Sequence, residues 1–239
     1  MAVSSECAER IARLSEVVVY GPNSVIYFQE DDTECLYLVV TGYVRQTYIN
    51  ENGVVTLTSV VPRGHIFGEA GLLDSGPHLD TAFTVGTTEV MQITRGSLKQ
   101  VVDTHPELRE ALSGMVSRRY RSYMAMTRAL YLPSLSLRLA HVLLQIADVL
   151  GNQIRYRGVM IDCIGPIITQ QDLGSMARGT RENVNKTLRG WEKAGILALE
   201  DRHILLTDRA QLLEIALNSD RPNGVVTFDT STAVGLSHK

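Results

Sequence analysis

Arg181 and Glu182 stand side by side behind Thr180, with Lys186 one helical turn further on. A guanidinium can fork onto O6 and N7 of guanine, and a carboxylate can accept from the N4 amino group of cytosine. Lys186 reaches a further guanine or a phosphate, and Asn183 and Asn185 can read adenine or hold the sugar-phosphate backbone. This is base-edge chemistry, and it works when the residues lie on the first turns of a helix that enters the major groove of double-stranded DNA. Thr169, Gln170, Thr180 and Arg189 flank that set and complete the residues expected at the DNA. From Arg178 to Lys193 there are five basic residues against two acidic ones, in a chain of net charge −3. Local basicity on an acidic whole favours a polyanionic partner over a merely solvated helix face.

The elements that must position these side chains are legible in the same stretch. Thr169 is placed to cap a first helix, with Asp172 three residues on completing a capping box. Leu173 and Met176 face inward, and Gly174 leaves room for a second helix. Arg178-Gly179 supplies the turn, where Gly179 is expected to take a positive φ. Thr180 then caps the second helix, whose Val184, Leu188 and Trp191 form one apolar stripe. Ala194-Gly195 ends it. Ile196–Leu199 and His203–Leu206 read as two strands around Glu200-Asp201-Arg202, a wing. Together these make a winged helix-turn-helix.

Upstream, the 239-residue chain is long enough for two modest domains. After a short amphipathic stretch around Ala8–Leu14 come brief strand-like runs. They are Val17–Tyr20, Val25–Phe28, Cys35–Val40 (ended by Thr41-Gly42), Tyr43–Ile49 and Val54–Val61. Strands at Thr81–Val85 and Thr88–Ile93 close the set. Short strands between glycine-bearing turns predict a Greek-key or jelly-roll β-barrel, with the jelly roll as the expected fold. Ser97–Val102 and Pro106–Leu132 return to helical character. In the long helix Leu108, Leu112, Met115, Val116, Tyr120, Tyr123, Met126 and Leu130 form the apolar side, and Arg109, Arg118, Arg119, Arg121 and Arg128 are expected outside. About 25 residues span roughly 37 Å, more than such a barrel covers alone, so the sharper expectation is a two-stranded homodimer interface. Pro133 breaks this helix at a hinge. Leu135–Leu150 is a further amphipathic helix. The expected division is an effector-binding barrel over 1–105, a dimerisation helix over 106–132, a DNA-binding domain over 133–218 and a mobile tail over 219–239. The fold class is α+β.

Several classes are excluded or left without support. There is no apolar run long enough to span a membrane and no secretory signal, which predicts a cytoplasmic protein without a membrane partner. Cys7, Cys35 and Cys163 are odd in number and far apart, without metal-ligand spacing. They read as buried thiols. His65 and Glu69 are four apart, as a cupin metal site could use, yet no His-X-His pair accompanies them. No P-loop, nucleophile elbow or HExxH occurs. No enzyme is expected and no metal.

The order of barrel, long helix, hinge and winged helix-turn-helix resembles the cyclic-AMP receptor protein and fumarate–nitrate-reduction regulator family of bacterial transcription factors. Val40-Thr41-Gly42-Tyr43-Val44, Phe67-Gly68-Glu69-Ala70-Gly71-Leu72, Leu112-Ser113 with Arg118-Arg119, and Arg181-Glu182 with Lys186 carry the resemblance, which runs from about Val18 to Leu206. It implies an allosteric homodimer on a palindromic site, with Arg181, Glu182 and Lys186 reading a G/C-containing half-site and RNA polymerase as a further partner. It also implies an effector pocket, with cyclic AMP or another cyclic nucleotide as ligand. Gly68, Glu69 and Ala70 would meet the sugar and phosphate, and Asp80, Thr81 and Ala82 would fill the phosphate loop. Tyr123 and Met124 would face the base. Asp80 departs from the family pattern, because an arginine is expected there to hold the phosphate, and a carboxylate repels it. His78, if protonated, or Arg63 would have to compensate. Three readings stay open: a cyclic-nucleotide sensor, a sensor of another signal (a metabolite, redox state or haem, with His65, His78, His105 and His141 as the available imidazoles), and an effector-independent regulator.

Overall fold

The computed structural model describes residues 3–217, so the tail expected over 219–239 lies outside it. Helix α1 (Ser5–Arg13) starts where Ser4 Oγ accepts from the amide of Cys7 at 3.2 Å. Strands β1 (Ser15–Tyr20), β2 (Val25–Tyr27), β3 (Cys35–Ile49), β4 (Val55–Pro62) and β5 (Ile66–Phe67) follow. After the short helix α2 (Glu69–Asp74) comes β6 (Thr81–Thr94). The strands form one antiparallel sheet in the order β1-β6-β3-β4, with β2 paired to β6 and β5 to β3. It curls around Val39, Val44, Phe67, Ala82 and Val90, all buried.

The curl depends on two long strands where sequence spacing predicts four short ones. Thr41-Gly42 does not end a strand. β3 runs through it with a register shift against β6 on either side of Thr41. Gly42 has φ +82, and a Cβ there would lie 2.6 Å from Thr88 Oγ1 and 2.9 Å from the Thr87 carbonyl. The glycine therefore permits a bulge with close strand crossing, which bends the sheet. β6 likewise continues from Thr81 to Thr94, through Gly86 at φ +70.

Helix α3 (Arg95–Thr104) leads to α4 (Pro106–Ala129), which ends one turn before the expected Leu132. Leu108 and Leu112 of α4 pack with Leu36, Leu98 and Val101. Farther along the same helix, Val116 (37% exposed), Tyr120 (63%) and Tyr123 (43%) are uncovered. They fall at i, i+4 and i+7, one stripe of the helix. Arg118, Arg121 and Arg128 are exposed as expected, but Arg119 is not. It turns toward the barrel, as described below.

Helix α5 (Leu135–Leu150) begins at Ser134, whose Oγ accepts from the amide of Leu137, and ends at Gly151 in the left-handed conformation. The hairpin of β7 (Gln153–Tyr156) and β8 (Val159–Ile164) was not foreseen from the sequence. Then come α6 (Gln170–Ala177), α7 (Arg181–Lys193), β9 (Ala198–Glu200), β10 (His203–Leu205) and α8 (Arg209–Leu217). A second sheet runs β7-β8-β10-β9. The wing's first strand starts at Ala198 instead of Ile196, because Ile196 and Leu197 are drawn into the core. That core joins Leu139, Leu143 and Leu150 of α5 to Leu173, Val184, Leu188 and Trp191, and it continues to Leu57 and Val60 of β4. The DNA-binding part is thus seated on the barrel by apolar contact as well as by polar bonds. No helix among the described residues is long and apolar enough to cross a membrane.

Candidate functional site

Helix α6 is held at its start by a complete capping box. Thr169 Oγ1 accepts from the Asp172 amide at 3.1 Å, and Asp172 Oδ2 accepts from the Thr169 amide at 2.8 Å. Helix α7 starts at Thr180, whose hydroxyl accepts from the amide of Asn183 at 3.2 Å. A Cβ on Gly174 would come 2.7 Å from the Gly179 carbonyl, so its absence allows the two helices to meet. The turn differs from expectation. Arg178, not Gly179, carries the positive φ, at 51°. Gly179 is needed for space, since a Cβ there would meet Leu135 Cδ1 of α5 at 2.6 Å.

Val184, Leu188 and Trp191 of α7 are buried, which forces the opposite side outward. Arg181, Glu182, Asn185 and Lys186 are all exposed, as are Thr169 and Thr180. Gln170 is half-buried and donates to Asn185 Oδ1 at 3.3 Å, so the two amides brace each other across the helix pair. Arg189 is exposed but engaged by Glu192 at 2.7 Å. The N-terminal turns of α7 therefore present a fork, a carboxylate and an ammonium to one side, unencumbered by internal salt bridges.

Two arginines that the sequence did not mark fix the pose of this unit. Arg138 of α5 donates through Nε to the Ala177 carbonyl and through Nη1 to the Leu132 carbonyl, each at 2.7 Å. One guanidinium thus spans the hinge and the turn between α6 and α7. Arg45 of β3 donates to the Ile167 carbonyl at 3.0 Å and forms an ion pair with Asp172, whose other carboxylate oxygen serves the capping box. The side chains of Arg45 and Asp172 are 16% and 13% exposed.

The barrel holds a cavity of about 260 Å³ against α4, lined by Gly68, Glu69, Ala70, Asp80 and Tyr123 among the expected effector residues. Thr81, Ala82 and Met124 are not in its wall. Thr81 is buried with its hydroxyl accepting from the Gln29 amide, and Ala82 belongs to the barrel core. Tyr27, Gln46, Tyr48, His78 and Arg119 line it instead. Gln46 is the one with a sequence signal, a polar residue two positions after Val44 on the inward side of an alternating strand.

Part of the wall is a hydrogen-bonded network around Asp80. Tyr27 Oη donates to Asp80 Oδ1 at 3.0 Å, and Gln46 Nε2 donates to Oδ1 and Oδ2 at 3.1 and 3.0 Å. Burial pushes the Asp80 carboxyl above its ordinary value, and these bonds pull it partly back. Burial lowers the His78 imidazole, which stacks on Tyr27 with centroids 3.5 Å apart. Burial thus disfavours the cationic form of His78 that could have compensated Asp80, and Arg63 is exposed and outside the wall. Arg119 pairs with Glu69 and donates to the Ile66 carbonyl at 2.7 Å. The space over Gly68 is taken by Tyr37, whose ring would lie 2.8 Å from a Cβ. These residues do not fit a cyclic phosphate: the threonine is turned away, and a carboxylate stands where the family pattern has a cation.

A curled antiparallel barrel, a long helix with a bare apolar stripe and a winged helix-turn-helix with a basic reading face define a two-domain DNA-binding regulator. Residues 17–105 match the family described as cyclic nucleotide-binding domain, and residues 137–215 match the Crp-like helix-turn-helix domain. The chain is 25% identical over 187 residues to a CRP-like cAMP-activated global transcriptional regulator of Mycobacterium tuberculosis, covering 78% of this chain and 82% of that one. It is 26% identical to the cyclic AMP receptor protein of Thermus thermophilus, over 83% and 87% of the two chains. FixK2 from Bradyrhizobium japonicum superposes with a TM-score of 0.71 at 24% identity, over 84% and 96%. The chain belongs to the cyclic-AMP receptor protein and fumarate–nitrate-reduction regulator family. It is a DNA-binding transcription regulator of that type, and not an enzyme.

Proposed function

We propose that the protein acts in the cytoplasm as a homodimer on a palindromic site and is switched by a small effector in the barrel cavity. Two copies pair through the uncovered α4 stripe of Val116, Tyr120 and Tyr123. Pairing places two α7 helices on successive major-groove faces of one duplex, as two-fold helix-turn-helix dimers require. Arg181 forks onto guanine, Glu182 accepts from cytosine on the opposite strand, and Lys186 takes a guanine or a phosphate. Thr169, Gln170, Thr180, Asn185 and Arg189 hold phosphates or fix the register. RNA polymerase is the partner such a complex would then engage.

Effector control follows from what α4 touches. Arg119 ties the helix to Glu69 in the cavity wall, and Gln145 of α5 donates to Ser122 of α4 at 2.6 Å. A ligand with different affinity for two arrangements of these contacts shifts the balance of domain poses. The exposed Arg181-Glu182-Lys186 face, outward because its reverse side is buried, is the observation that carries the DNA-reading assignment.

Fluorescence anisotropy on a library of palindromic duplexes at several salt concentrations tests it. Sequence-selective binding with a steep salt slope and two protomers per duplex is expected. Selectivity unchanged by Arg181→Ala would overturn the assignment.

A further inference from the structure

We infer that the barrel cavity takes a small organic cation carrying N–H donors on an apolar or aromatic body, and not a cyclic phosphate. This rests on the reading of that cavity as the effector site.

Charge gives the first argument. Glu69 and Asp80 line the cavity with Arg119 as the only cationic side chain beside them, which leaves one negative charge uncompensated. The Asp80 carboxylate accepts three donated bonds, an arrangement that suits the ionised form. A phosphate monoanion would add a second uncompensated charge beside the first; a monocation would cancel the first.

Hydrogen-bond accounting gives the second. Gln46 Oε1 and Glu69 Oε2 are buried side-chain oxygens without a partner, on residues only 3% and 6% exposed. The Gln46 amide cannot be turned to relieve this, because Nε2 is committed to the two oxygens of Asp80. Both orphans are acceptors on residues of the cavity wall, so donors are what this wall lacks.

Shape gives the third. Tyr27, Tyr48 and Tyr123 line the cavity, and Tyr48 and Tyr123 are part-exposed at 45% and 43%. Aromatic walls beside a carboxylate are a general solution for binding organic ammonium and guanidinium groups. A cation reaching Glu69 competes with Arg119 for the same carboxylate, so its arrival loosens α4 from the barrel. That links occupancy to the element that carries the DNA-binding part.

The test is calorimetry on the full chain with phenethylammonium, n-butylammonium and 4-guanidinobutylammonium. The matched anion 3-phenylpropionate, the matched neutral 2-phenylethanol and cyclic AMP serve as controls. Saturable heat is expected with at least one cation, at least tenfold tighter than with the matched neutral, and none with the anion. Asp80→Asn should weaken the cation at least tenfold. Tyr48→Leu, at a part-exposed cavity position outside the α4 stripe, should weaken it severalfold. Heat from 3-phenylpropionate equal to that from the amine, or cation binding unaffected by both variants, overturns the inference. Binding of cyclic AMP in place of the cations also overturns it, while keeping the cavity as an effector site. Binding of no probe, with duplex binding intact, overturns the inference.

Discussion

Arg45→Ala offers the most direct probe of how the barrel is joined to the DNA-binding part. The guanidinium is removed from an ion pair whose partners are 16% and 13% exposed, and from a 3.0 Å bond to the Ile167 carbonyl. Breaking a fully buried pair by deleting one partner costs about 3–5 kcal/mol, because a charge is left uncompensated. Asp172 keeps two other donors, the Thr169 amide at 2.8 Å and the Thr169 hydroxyl at 2.7 Å, so the residual penalty is smaller. We expect about 1–3 kcal/mol, the range for one charge-assisted bond lost from a partly satisfied carboxylate. The apolar seat of Leu57 and Val60 remains, so the effect is local loosening, not global unfolding. Hydrogen exchange should read it as about 5- to 150-fold faster exchange in α6 and the facing part of β3. The barrel strand β1 should be unchanged. A double-mutant cycle with Asp172→Asn separates the pair from the capping box, since only the pair is shared. A coupling energy below about 0.5 kcal/mol, the usual additivity error, would refute the reasoning.

Other outcomes follow from the same structure. Arg181→Ala and Glu182→Ala should each lose about 1–3 kcal/mol of discrimination at one base pair, measured as competition between matched and mismatched duplexes; uniform weakening on all sequences would place α7 elsewhere on the DNA. Gly174→Ala should destabilise more than Gly179→Ala, because the first drives a Cβ to 2.7 Å from a backbone carbonyl and the second to 2.6 Å from a movable leucine tip; the gap should be about 1–3 kcal/mol by chemical denaturation, and a reversed order would contradict the turn geometry. If the protein pairs through the proposed α4 seam, wild type should sediment as a dimer at micromolar concentration and Tyr120→Glu as a monomer, since the substitution places like charges in that seam. The Asp80 carboxyl lies above its ordinary 3.8 because burial outweighs its hydrogen bonds. Its contribution to stability is therefore full below pH 3.8 and lost as pH rises through the raised native value. Wild type should fall relative to Asp80→Asn across that window in parallel denaturation series, and parallel curves would show that Asp80 is not desolvated.

The helix-turn-helix was legible because each of its parts has a local cause. Caps at Thr169 and Thr180 are made within three residues, and the stripe of Val184, Leu188 and Trp191 is a single-helix period. The barrel was legible as a class, but its strands were cut at Gly42 and Gly86. A glycine marks both a turn and a bulge, and only the approach of Thr87 and Thr88 decides between them. The β7–β8 hairpin has exposed positions along nearly all of β7, so it lacks a clean inward alternation. Arg119 was placed outside because a helical arginine usually is; its partner Glu69 is fifty residues away in sequence. The same distance hid the roles of Arg45 and Arg138. The effector loop was read by position from the family pattern. Asp80 does line the cavity, but a strand begins at Thr81, whose hydroxyl turns to the Gln29 amide while Ala82 packs in the barrel core.

The divided carboxylate of Asp172 has a consequence for modular reuse. One oxygen completes the start of α6, and the other receives Arg45 from the barrel. The DNA-binding part therefore does not carry its own complete boundary. A chimera that fuses this helix-turn-helix to a foreign sensor would keep the capping box, which is internal to it. It would nevertheless arrive with an unanswered charge on its docking side. Transplanting specificity from this protein would thus mean moving a residue of β3 along with the recognition unit, and grafting by domain boundary alone would separate what the fold has joined.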